Sequence, residues 1–201
     1  MIIVVGSPVV GPDTLRPGRR AAGLAVGIAL AAREAGARVE LVGKVGDDQD
    51  GDALAVELER DGVGHAALLR DPASSTPHAG RGSAAGLPPS RPDVELALRY
   101  LTEARVIVSV EQTDAAVAQA VSESAAFSGS HLVVVDGPNA GSARAADVSD
   151  DDVTRLAAPR HDDGAFAAVV GDYAAALDRG ERPNVAFQRA VDDIGWEPAD
   201  G

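Results

Sequence analysis

The chain has 201 residues, no cysteine and a formal net charge of −13, with Lys44 as its only lysine. That length can bury one good core, and 45% apolar residues is ordinary for a folded soluble protein. The lack of cysteine excludes disulfides, thiolate metal sites and a cysteine nucleophile. An acidic surface excludes nucleic acid and anionic membrane as natural partners, because phosphates need clustered cations.

The opening stretch MIIVVGSPVVG has no basic leader and too short an apolar run for a signal peptide. The longest near-apolar stretch, residues 21–32, falls well short of the roughly 20 residues a membrane span needs. A cytoplasmic protein is expected. Its acidity and single lysine suit a salt-rich cytoplasm, where counterions screen self-repulsion. A GC-rich genome would leave the same bias, so both origins stay open. Aromatics are only 3%, so Ala, Val, Leu and Ile must build the core.

In chain order, IIVV (2–5) predicts a buried strand and residues 19–35 a helix ended near Gly36. A second strand follows at 38–43, then a helix over 50–60 stopped by Gly62, then a third strand at 65–70. Residues 71–92 are rich in Pro, Gly and Ser without periodicity and read as a long loop. A helix (93–102), a strand (105–110), a helix (113–127) and a strand (131–136) come next. After the glycine-rich turn GPNAGSARAAD, the rest reads as helices at 164–179 and about 184–194, with a frayed tail at 197–201. Alternation of short apolar strands with helices predicts an α/β fold: a mostly parallel, doubly wound sheet with helices on both faces, in one domain over 1–196. Ligands in such folds sit beyond the carboxyl ends of the strands.

Few motifs there carry chemistry. GPNAGS lacks the Gly-Lys-Ser/Thr of a phosphate-binding loop, and no Gly-x-Gly-x-x-Gly follows the first strand. Ser7, Ser109 and Ser142 lack a nucleophile-elbow pattern. His65, His78, His131 and His161 are too scattered for ligand spacing, so no metal site is expected, and His161-Asp162-Asp163 reads as a solvated turn. The turn RHDDGAF (160–166) opens a helix rich in alanine and valine. Gly164 and Ala165 could present backbone N–H groups to an anion, with Asp162 or Asp163 as a base. Equally, either aspartate could simply cap the helix. VGKVGDDQDGDALAVELERDGV (42–63) is the most specific stretch: Gly43 and Gly46 allow a sharp turn after a strand, and Asp48 and Asp50 can cap the next helix.

That stretch closely resembles the first signature of the ribokinase-like, or PfkB, carbohydrate kinase family. IIVVGSPVV (2–10), residues 16–48, SSTP (74–77), VIVSVEQ, VVVDGPNAG and DDGAFAAVVGDYAAALDRG extend the resemblance nearly end to end, with large gaps. The resemblance implies a ribokinase-like fold, a lid reduced to the loop at 71–92, and MgATP as cosubstrate if the chain is a kinase. It also implies a sugar or nucleoside ligand and the option of a homodimer. Its sugar-binding Gly-Gly-Lys-Gly-x-Asn segment corresponds here to residues 22–27, keeping Gly23 and ending at Gly27 without lysine or asparagine. The aspartate expected after the opening strand falls on Gly11, with Asp13 two places later. The family's GAGD motif corresponds to residues 161–164, which puts the catalytic aspartate at Gly164 and leaves Asp163 one place early. The sequence therefore implies a shortened relative without phosphoryl transfer that binds a small molecule or self-associates, a minimal sugar or nucleoside kinase using Asp163, or a binding or regulatory module with no nucleotide.

Overall fold

The computed structural model describes residues 1–11, 21–79, 86–112, 114–137, 146–147, 151–159 and 164–195. At its centre the strands β1 (Ile2–Val5), β4 (Val39–Gly46), β5 (Gly64–Asp71), β6 (Val106–Val110), β7 (His131–Asp136) and β9 (Val153–Ala157) run parallel. They lie in the order β5-β4-β1-β6-β7-β9, and a short β8 (Ala146–Asp147) closes the β9 edge antiparallel. A separate two-stranded ribbon pairs β2 (Val9–Val10) with β3 (Ala21–Ala22). The expected fold class is thus the observed one.

Successive side chains of a strand point to opposite faces, so the apolar runs divide between two cores. Ile2, Val4, Val39, Leu41, Val106 and Val108 face α1 (Leu24–Glu34), α2 (Gln49–Arg60), α5 (Ala165–Asp178) and α6 (Pro183–Ile194). Ile3, Val5, Val42 and Ile107 face α3 (Arg91–Tyr100) and α4 (Ala115–Ser128). Helix α5 is buried on most of its circumference, because α1 lies against one side and α6 against another. With few aromatics available, glycine and alanine set that spacing: a Cβ on Gly171 would stand 2.5 Å from the Ala31 Cβ and 2.7 Å from the Ala32 nitrogen. No described helix is long and apolar enough to cross a membrane.

Three sequence expectations change. The first helix starts at Leu24, not at residue 19: Ala21–Ala22 pair with Val9–Val10, and Gly23 at φ +101° breaks the run in a conformation other residues resist. Helix α3 starts at Arg91 rather than 93, because Ser90 and Asp93 form a reciprocal capping box ahead of it. The segment after residue 136, read as turn and helix only, contains β8 and β9; Thr154 and Leu156 are buried while Val153 and Arg155 are exposed, an edge alternation over just five residues.

Candidate functional site

The carboxyl ends of the parallel strands open onto one mouth. Its first corner follows β4. Asp48 caps α2, accepting the Gly51 N–H at 2.8 Å. It also accepts the Thr76 hydroxyl at 2.6 Å and the Thr76 N–H at 2.8 Å, while the Thr76 oxygen accepts the Gly46 N–H at 3.0 Å. These donors, the Thr76 hydroxyl foremost, hold the Asp48 carboxyl down at about 2. Arg70 donates to the Gly46 carbonyl at 3.3 Å and pairs with Asp52 at 2.9 Å. A Cβ on Gly46 would lie 2.5 Å from the Thr76 nitrogen, so only glycine lets the chain pass.

The segment after β5 thereby becomes a strap across this corner. His78 lies 2.8 Å from Asp50, and Val10 exchanges backbone hydrogen bonds with Pro77 and Ala79, each at 2.7 Å. The loop expected at 71–92 is thus anchored over residues 74–79, and beyond it Lys44 of β4 pairs with Asp93 of α3 at 2.6 Å. This first corner is architecture, as its capping pattern suggests.

The second corner joins β1, α1 and α5. A Cβ on Gly6 would meet the Ala25 Cβ at 2.5 Å, and one on Gly23 would stand 3.3 Å from the Ser7 carbonyl. Gly27 lies one turn into α1, where its missing side chain admits Ala167 of α5; a Cβ there would be 3.1 Å from the Ala167 Cβ. Gly164 is the N-cap of α5 at φ +96°, so the chain enters this helix through a left-handed residue. Gly164, Ala165 and Phe166 are each already engaged in an interaction. Asp13, Asp162 and Asp163 lie outside the described residues.

The third corner contains a residue that sequence reasoning missed. Glu111 directly follows β6 and has φ +50°, the one left-handed non-glycine among the described residues. Its N–H donates to the Val135 carbonyl at 2.8 Å, which draws it toward the end of β7. There the carboxyl lies beside Gly137, whose Cβ would be 3.3 Å from Oε1. Glu111 is open to solvent at the mouth, yet the protein crowding its carboxyl raises it above the ordinary range by desolvation. Gln112 locks the same edge, donating to the Val5 carbonyl at 3.1 Å and the Val110 carbonyl at 3.0 Å. A usable signal was present in the sequence: a carboxylate placed immediately after a short, mostly β-branched parallel strand.

Among the described residues no cluster of three or more His, Asp or Glu side chains is arranged to hold a metal ion. The mouth offers instead a carboxyl, the backbone of three glycine-lined turns and the start of a buried helix. This arrangement can hydrogen-bond a small polar molecule.

No family model and no curated protein matches the chain by sequence. Solved structures do match. A PfkB protein from Polaromonas sp. JS666 superposes with a TM-score of 0.67 at 14% identity, covering 100% of this chain and 95% of that one. Aminoimidazole riboside kinase from Salmonella enterica gives 0.62 at 13% identity, covering 96% and 90%. An uncharacterised sugar kinase from Pyrococcus horikoshii, solved with ATP, gives 0.52 at 15% identity over 67% of this chain; the chain spans about half of it, 52%. With its parallel sheet, its helices on both faces and these likenesses, the chain has the ribokinase-like fold of the PfkB sugar kinases.

Proposed function

We propose that the protein binds a small polyhydroxylated molecule, a sugar or a nucleoside, in the mouth between Gly23, Glu111 and Gly164, and that it does not transfer phosphate from ATP. Glu111 carries the binding part of this reading. It is a carboxyl fixed in a costly backbone conformation at the edge where such folds take ligands. A carboxyl so placed can accept from, or when protonated donate to, the vicinal hydroxyls of a polyol. Asp13, Gly23 and Gly27 remain the proposed substrate-binding residues beside it.

Gly164 supports the second part. The resemblance assigns the catalytic aspartate to this position, and glycine has no group to accept a proton. Among the described residues no carboxylate cluster is arranged for a magnesium ion, and position 164 is glycine. No step through MgATP is derived. The sequence segment 71–92 is proposed as the remnant of a lid.

The other reading, a minimal ATP-dependent sugar or nucleoside kinase with Asp163 as base and Asp162 beside it, draws on the ATP bound by the Pyrococcus horikoshii structure. Melting curves separate the two. A ligand at 100 times its dissociation constant adds about 2.7 kcal/mol, a shift of several degrees for a domain this size. The proposal expects a shift with a sugar or nucleoside, none with MgATP, and loss of the shift in Glu111→Ala. ADP formation that disappears in Asp163→Ala would replace it with the kinase.

A further inference from the structure

On the face of the sheet opposite α1 and α5, the helices α3 and α4 pack over Ile3 and Ile107, which are buried beneath them. The two helices are bridged by Arg91 and Glu123 at 3.2 Å. Beside that bridge they leave a surface groove of about 580 Å³, backed by the buried Ile3 and Ile107. Leu98 and Leu101 form the α3 wall, Ala120 and Phe127 the α4 wall. Phe127 itself is 96% exposed, on the last turn of α4, at the lip of the cavity it helps to line. A soluble chain gains nothing in its own stability from a phenyl ring held in water beside an unfilled apolar slot.

We propose that this groove is a self-association surface whose occupant is a second copy of the chain. A two-fold axis through the face would seat each Phe127 in the other copy's groove, against the partly exposed Leu98 and Leu101. Knob and hole lie side by side on one patch, the self-complementarity that a two-fold contact requires. Charge favours the same occupant. The chain carries a net charge of −13, so most of its surface repels a copy of itself. The charges lining the groove are Arg99, Glu95 and Glu123, and neighbouring Arg91 offsets both carboxylates by pairing with them. Arg99 has no ion-pair partner among the described residues, which leaves it available to a carboxylate across the axis. An aromatic knob flanked by arginine is the composition of an interface centre. This surface lies on the opposite face of the sheet from α1 and α5, so the proposal stands or falls separately from ligand binding.

Sedimentation velocity over a wide concentration range tests it. The native chain is expected to show a reversible monomer–dimer equilibrium. Phe127→Asp should be monomeric throughout, with the melting temperature of dilute protein unchanged because the ring has little to lose. Arg99→Glu should weaken the dimer about tenfold, the equivalent of 1.4 kcal/mol. Hydrogen exchange on the native chain gives a readout independent of any variant: the last turn of α4 and the end of α3 should gain protection as concentration rises. A native chain that stays monomeric would overturn the proposal and leave the groove to a different occupant. So would a dimer with undiminished affinity in Phe127→Asp, which would place the contact elsewhere.

Discussion

Thr76 donates twice to Asp48, through its hydroxyl at 2.6 Å and its backbone N–H at 2.8 Å, which joins the start of α2 to a strap 28 residues further along the chain. The pair has a pH signature. Asp48 titrates near 2 in the folded chain against a reference of 3.8, so its stabilisation is fully present above 3.8 and is lost as the pH falls through about 2. Asp48→Asn should cost about 1–2 kcal/mol near neutrality, from the weakened cap and the weakened link to Thr76. Urea unfolding of both proteins across the acid range should show the native advantage shrinking toward pH 2. A difference independent of pH would refute this account.

Glu111 pulls the other way. Its folded carboxyl lies above the reference of 4.5 because the protein crowding it partly desolvates the charge, so its contribution is most favourable below 4.5 and is lost as the pH rises through the folded value. Its φ of +50° adds strain that glycine would not feel. Glu111→Gly should therefore raise stability by up to about 1 kcal/mol at neutral pH while removing the melting shift produced by a sugar or nucleoside. Paired urea and ligand melts measure both. A variant that is less stable and still binds would remove Glu111 from the site.

At the other end of the sheet, Thr154 is fully buried and its hydroxyl lies 2.9 Å from His131 Nε2 and 2.7 Å from the Tyr173 hydroxyl. Desolvation lowers the His131 pKa below 6.5, with Asp152 opposing. The folded chain thus keeps the ring neutral where the unfolded chain would protonate it. Stability from this group is full above 6.5 and declines as the pH falls below it. Thr154→Val should cost about 1–3 kcal/mol by removing the oxygen that both partners share. His131→Gln should flatten the stability profile below pH 6.5, as followed by thermal melts.

Packing between α1 and α5 gives the sharpest steric test. Because a Cβ on Gly171 would meet backbone as well as side chain of α1, Gly171→Ala should destabilise by about 1–3 kcal/mol even though alanine is the better helix former. Gly27→Ala, at 3.1 Å from a methyl group alone, should cost less. Equal costs in denaturant melts would argue against a close approach at Gly171.

The strands at 2–5 and 131–136 and the helix after Asp48 were legible because their signals are consecutive: unbroken β-branched runs and a capping aspartate followed by helix formers. Ala21 and Ala22 were misread for the same reason. Alanine favours helix locally, and only the pairing with Val9 and Val10 makes it strand. The strand at 153–157 was hidden by its alternating exposure, which resembles a polar loop over so short a span. Glu111 looked like a loop residue until β7 ended beside it.

By itself the sequence determined the parallel α/β architecture, the glycine turn and cap at residues 43–51, and the absence of a side chain at position 164. All of these are written in neighbouring residues whose preferences act over a few ångströms of chain. Tertiary structure alone decided that Thr76 would satisfy Asp48, that Glu111 would stand against Gly137, and that α3 and α4 would leave a groove beside the exposed Phe127. Those relationships join groups far apart in sequence. Their free energy comes from burial and hydrogen bonding between elements, which no local preference encodes.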